Sequence, residues 1–203
     1  MEIQDREELL YQELTSEEFM AERREAIRLV KEILWEWNIN EQKQWKRMPL
    51  KAVEGRIKTP KSILEKLKKK GYAISLKSVE RLHDLAGVRA VCGYLDDVYR
   101  LREYILLYKG VQVIAQKDYI ASPKKSGYQS LHLLLKTEAG LAELQIRTIA
   151  MDYWSNLEHP VIYKKGIYAD EKVGKELIRY AGFLREVDGM LVALRLEREK
   201  RVK

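Results

Sequence analysis

Lys124-Lys125-Ser126-Gly127-Tyr128-Gln129-Ser130-Leu131-His132 reads as a basic turn that passes through a glycine into a β-strand. Residues two apart on a strand share a face. Tyr128, Ser130 and His132 therefore lie together, while Leu131, Leu133 and Leu135 lie opposite, where they can pack into a core. The strand belongs to a sheet with one dry side and one side furnished with a ring, a hydroxyl and an imidazole beside two lysines. An aromatic platform for a base and cations for phosphates are the parts of a nucleotide site.

The strand Ala142-Glu143-Leu144-Gln145-Ile146-Arg147 follows the same logic. Glu143, Gln145 and Arg147 share one face; Leu144 and Ile146 share the other. Charged side chains at every second position are costly to bury, so this face lines a wet cleft. Asp84-Leu85-Ala86-Gly87-Val88-Arg89 leads into the apolar run Ala90-Val91-Cys92 and adds a second carboxylate and an arginine. Two carboxylates on separate elements facing several cations point to metal-assisted phosphoryl chemistry.

The chain has 203 residues, enough for one domain with its own core. Its 46% hydrophobic and 34% charged residues suit a soluble globular protein. No apolar run approaches the roughly 20 residues of a membrane span. The start, Met1-Glu2-Ile3-Gln4-Asp5-Arg6, is polar and mixed in charge, unlike a signal peptide. Cys92 is the only cysteine, which excludes an internal disulfide, and its apolar strand makes it a core thiol. Cytoplasmic residence and no membrane partner are expected. The net charge of +7 attracts polyanions and does not separate nucleotides from RNA.

Patterning predicts a single α+β domain with added terminal helices. A helix is expected over residues 16–39, capped by Ser16, with Glu17 and Glu18 in its first turn. Its stripe is Phe19, Ala26, Ile27, Val30, Ile33, Leu34 and Trp37. Residues 49–58 read as extended. Thr59 then caps a helix with Pro60 at its first position, Gly71 after its end and Ile63, Leu64 and Leu67 inside. A short helix around 78–82 and strand 87–94 follow. The next helix, 96–108, has Val98, Leu101, Ile105 and Leu106 inside. Strands are expected near 111–119, 128–136 and 141–147, then a helix from Thr148 to about His159. The last helix, about 170–201, carries Leu177, Ala181, Leu184, Leu191 and Leu194 on one stripe.

Arg56-Ile57-Lys58-Thr59-Pro60-Lys61-Ser62, Asp84-Leu85-Ala86-Gly87-Val88-Arg89, Lys117-Asp118-Tyr119-Ile120-Ala121-Ser122-Pro123-Lys124, Gly127-Tyr128-Gln129-Ser130-Leu131-His132 and Glu143-Leu144-Gln145-Ile146-Arg147-Thr148 resemble, in order, the successive motifs of RelA/SpoT-type alarmone synthetase domains. Each motif alone is weak; five in order are specific. They cover a catalytic core of about residues 45–165 within one domain of 203. The short length resembles the single-domain small alarmone synthetases.

The resemblance implies a nucleotidyltransferase-like mixed sheet of about five strands. It implies transfer of the β,γ-diphosphate of ATP to the 3′-hydroxyl of GDP or GTP, giving ppGpp or pppGpp and AMP. It places ATP against Arg56, Lys58, Ser62, Lys66 and Arg89. Asp84 becomes the magnesium ligand, and Glu143 either a second ligand or the group that orients or activates the acceptor hydroxyl. The acceptor lies over Tyr128, with Lys117, Lys124, His132 and Gln145 around it. The resemblance also implies a homotetramer built from the terminal helices, although a dimer fits their apolar stripes equally. An RNA or an alarmone is an expected regulator.

Blander readings stand beside these. Tyr128 can be a core tyrosine with a bonded hydroxyl, and His132 a satisfied structural histidine. Glu143 can pair with Arg147, and Asp84 can cap a turn. Arg56, Lys58 and Lys66 can form a solvated basic face. His83-Asp84 spells a dipeptide found in metal phosphohydrolases, but such a site needs further histidines and the chain has only His132 and His159 besides, so no hydrolase activity is expected. Two other functions remain open. One is a related toxic synthetase that pyrophosphorylates adenosine nucleotides or the tRNA 3′ end. The other is an inactive RNA-binding module, against which the two carboxylates count.

Overall fold

A computed structural model describes residues 3–163 and 171–201. Five strands, β1 (Leu50–Ile57), β2 (Ala86–Cys92), β3 (Gln112–Asp118), β4 (Leu131–Thr137) and β5 (Gly140–Thr148), form one sheet in the order β1-β2-β5-β4-β3. β2 and β5 run parallel and every other pair is antiparallel, so the sheet is mixed, as expected. The helices are α1 (Ile3–Thr15), α2 (Glu17–Trp45), α3 (Pro60–Lys69), α4 (Leu76–Val79), α5 (Leu95–Leu107), α6 (Ile149–Tyr163) and α7 (Glu171–Arg201). Among the described residues no helix is long and apolar enough to cross a membrane.

The alternation read from the sequence sets the two faces of the sheet. Leu131, Leu133, Leu135, Leu144 and Ile146 are all at most 1% exposed, against Val30, Leu34 and Trp37 of α2 and Val98, Leu101 and Ile105 of α5. Burying a side chain of this size stabilises by about 1.5–3 kcal/mol. The dry face is therefore a large share of the fold's stability, and the polar face is left for chemistry.

The capping signals hold. Ser16 Oγ accepts from Phe19 N at 3.2 Å, Thr59 Oγ1 accepts from Ser62 N at 3.3 Å, and Gly71 takes φ +65° after α3. Other expectations are corrected. α1 was not anticipated; its Leu10 and Leu14 are buried against Ile63 and Leu67, a match only the tertiary fold supplies. α2 runs on to Trp45, beyond the predicted end at 39. The short helix is Leu76–Val79, capped by Ser75, and not 78–82. The strand expected from 128 begins at Leu131. Leu106 is exposed, because Ile105 already fills the inner side of α5. Leu191 and Leu194 are exposed as well. The inner line of α7 runs instead through Leu177, Ala181, Asp188 and Arg195, the last two held by Thr148 and Asp96. The start expected for this helix near residue 170 lies outside the described residues.

Candidate active site

Antiparallel pairing of β1 with β2 brings the end of one strand to the start of the other, Ile57 opposite Ala86. Lys58 and Asp84 stand just beyond that pair, and Lys58 N donates to Leu85 O at 2.8 Å. Lys58 Nζ lies 2.7 Å from Asp84 Oδ2, and Lys66 Nζ, from α3, lies 2.7 Å from Oδ1. Burial pushes the Asp84 carboxyl up, but the two ammonium groups outweigh it and hold the group below the usual carboxylate range. Around this triad a cleft open to solvent is lined by Glu54, Arg56, Asp84, Arg89, Glu143 and Gln145. The parallel pairing of β2 with β5 explains the gathering, since Gly87 sits opposite Glu143 and Arg89 opposite Gln145.

On the other side of Glu143 the furnished face closes into a ring of hydrogen bonds. Arg147 Nη2 donates to Tyr128 Oη at 2.7 Å and to Gln145 Oε1 at 2.8 Å. Tyr128 Oη lies 2.9 Å from His132 Nε2, and His132 Nδ1 lies 3.1 Å from Glu143 Oε1. Gln145 Nε2 donates to Glu143 Oε2 at 2.8 Å. An ionised carboxylate only accepts, so a neutral His132 carries its proton on Nδ1 and accepts from the tyrosine through Nε2. Every bond then points from Arg147 towards Glu143. Burial raises the Glu143 carboxyl, yet His132 and Gln145 more than offset this and leave it below the usual range.

The expected site residues thus divide. Arg56, Asp84, Arg89, Glu143 and Gln145 line the cleft, with Lys58 and Lys66 joined to it through Asp84. Ser62 stays outside the cleft lining, its Oγ accepting from Thr59 Oγ1 at 2.9 Å in the cap of α3. Tyr128 and His132 belong to the ring. Tyr128 is buried, and Lys124 Nζ stands 4.6 Å from the centroids of both the Tyr119 and Tyr128 rings. Lys117 is exposed on β3, opposite His132 in the strand pairing. Glu143 pairs with His132 and Gln145, and the bland Glu143–Arg147 pair is not among the ion pairs of the described residues.

Arg147, expected on the wet face without a role, is buried beneath it, and Tyr119 and Asp152 join the site unforeseen. Arg147, only 3% exposed, is the source of the ring; its period-two spacing from Glu143 was the available signal. Tyr119 shares Lys124 with Tyr128. Asp152, in the first turn of α6, touches both Arg89 and Arg147. Among the described residues no cluster of three or more His, Cys, Asp or Glu could cage a metal. Two ionised carboxylates in one cleft nevertheless suit magnesium, which keeps waters and takes substrate phosphate oxygens alongside one or two carboxylates.

The model of a region found in RelA and SpoT proteins matches residues 55–168. The chain is 35% identical over 158 residues to the GTP pyrophosphokinase YwaC of Bacillus subtilis, covering 73% of this chain and 75% of that protein. It is 38% identical over 157 residues to the GTP pyrophosphokinase YjbM of the same organism, covering 73% and 74%. The crystal structure of small alarmone synthetase 1 from Bacillus subtilis, bound to its product pppGpp, superposes with a TM-score of 0.77 at 34% identity, over 88% of this chain and 95% of that one.

Proposed function

We propose a reaction from one premise: the chain belongs to the RelA/SpoT family. It is a (p)ppGpp synthetase, transferring the β,γ-diphosphate of ATP to the 3′-hydroxyl of GDP or GTP. The observation that carries this reading is the meeting of Asp84 and Glu143 in one cleft with Arg56 and Arg89, backed by a ring that ends on Glu143. The likeness to GTP pyrophosphokinases and to a synthetase bound to pppGpp supports it.

In this reading the acceptor 3′-oxygen attacks the β-phosphorus of ATP. The bond from that phosphorus to the α–β bridging oxygen breaks, AMP leaves with that oxygen, and the hydroxyl proton is released to solvent. Lys58, Lys66, Arg56 and Arg89 neutralise ATP phosphates, and the planar guanidinium groups of the two arginines also stack on adenine, with Ser62 at the edge of α3. Asp84 and Glu143 would hold magnesium, which when bound would offset charge on the transferring group. Glu143, kept below the ordinary range by its donors, serves better to orient the hydroxyl than to store its proton. Lys124 and Lys117 draw the acceptor phosphates. As Lys124 moves to them, the face of Tyr128 it covers becomes available to guanine, with His132 and Gln145 alongside.

The same reading assigns the protein to the cytoplasm, where these nucleotides meet, and makes it a homo-oligomer through its terminal helices. The decisive experiment supplies purified protein with ATP, magnesium and each candidate acceptor. AMP and a 3′-pyrophosphorylated guanosine nucleotide are expected. Transfer only to adenosine nucleotides or to tRNA would replace this reading with the toxic-synthetase one.

A further inference from the structure

Two guanidinium groups converge on one carboxylate oxygen. Arg147 Nη1 donates to Asp152 Oδ1 at 3.3 Å, and Arg89 Nη1 lies 3.4 Å from the same atom. Asn156 Nδ2 donates to Oδ2 at 3.2 Å and fixes the carboxylate's orientation from the next turn of α6. Arg89 faces the donor cleft. Arg147 is buried and sends its other terminal nitrogen to Tyr128 and Gln145 on the acceptor side. Arg89's other carboxylate partner, Glu54, is 3.7 Å away and well exposed, so it competes weakly. Asp152 is thus the counter-ion that a donor-site cation and the head of the acceptor-site ring share.

We propose that Asp152 is a positioning residue that couples the two nucleotide sites. A shared oxygen divides its charge between its two partners. When ATP engages Arg89, that guanidinium is drawn towards the cleft and Asp152 falls more fully to Arg147. Arg147 is then held more firmly in the geometry that aims Tyr128 and Gln145. Filling the donor site therefore prepares the acceptor site, and by linkage the acceptor tightens the donor to the same degree. The inference rests on the synthetase reading for the identity of the two ligands.

The test is calorimetric titration of GDP into the wild type and Asp152→Asn, each with and without the α,β-methylene analogue of ATP plus magnesium. That analogue resists cleavage at the bond the reaction breaks. In the wild type the analogue tightens GDP binding by about fivefold or more, the range of ordinary site coupling. In Asp152→Asn the ratio falls to about one, GDP binding without the analogue stays within about threefold, and turnover drops about tenfold.

Several outcomes overturn the proposal. They are a wild-type ratio of one, an unchanged ratio in the variant, or weaker GDP binding with the ratio kept, which would mark a direct base contact. Loss of both nucleotides with a lowered melting temperature would mark a structural role and overturn it too. Because Asp152→Asn leaves Arg147 short of a counter-charge, Asn156→Ala is measured beside it. That variant keeps the charge and frees only Oδ2, so the ratio should fall about twofold; should the first variant not fold, an unchanged ratio in the second overturns the inference. Failure of the wild type to transfer diphosphate to GDP or GTP would sink the synthetase reading. Transfer with unaltered coupling in the variants would sink this inference alone.

Discussion

Asp84 has an ammonium group on each of its oxygens, and Glu143 has an imidazole on one and an amide on the other. In both cases burial raises the pKa and the partners lower it further than burial raises it. The folded value therefore lies below the unfolded one. The stabilisation from each is present above the ordinary carboxylate range of about 3.9–4.3 and is lost as pH falls through the folded value. Asp84→Asn and Glu143→Gln should each show a shallower loss of melting temperature on acidification than the wild type, in melting curves collected from neutral pH downward. Each should also lose about a hundredfold or more in turnover, as removal of an electrostatic or acid–base group does. Near-normal turnover in either variant would take that residue out of the mechanism. The residue types and their period-two spacing were legible in the sequence. That Tyr128 Oη is shared by Arg147 and His132 was not, because those bonds join positions 19 and 4 residues away through the sheet.

The elements at the two ends of the chain back the two sides of the site. α1 packs on α3, which carries Lys66, while α6 and α7 pack behind the turn that leads to Tyr128. Gly127 in that turn has φ +83°, and a Cβ there would lie 2.5 Å from Ala181 Cβ on α7. Both the backbone angle and the close approach exclude a side chain. Gly127→Ala should cost about 1–2 kcal/mol for the left-handed conformation and about 1–3 kcal/mol for the overlap. Acceptor KM should rise while ATP KM stays near normal. Melting curves of the single and double variants read the packing part: with Ala181→Gly added, the total cost should be less than the sum of the two single costs. Additive costs would show that the loop does not lean on α7. The sequence marked Gly127 as a turn residue, but its contact with a helix more than 50 residues later was invisible, since helical periodicity does not say what a helix touches.

At the scale of the whole molecule, α7 presents a second apolar line to solvent: Phe183, Val187, Met190, Leu191 and Leu194 are all more than 40% exposed. The spacing is that of one helix face, and a contiguous apolar stripe on the surface marks an interaction site. A second copy of the chain is the partner the synthetase reading assigns to it. Sedimentation should show an oligomer for the wild type and a monomer for Phe183→Glu combined with Leu194→Glu; a monomeric wild type would leave the stripe without this role. The sequence by itself determined the strands, their two faces and the caps of α2 and α3, because side-chain alternation and capping are local rules. Only the tertiary structure decided which stripe of α7 faces inward, where Thr148 and Asp96 hold Asp188 and Arg195. Only it brought Lys58 and Lys66 onto Asp84, and Arg89 and Arg147 onto Asp152. Those meetings depend on which strands and helices become neighbours, and burial of the common core sets that for all of them together.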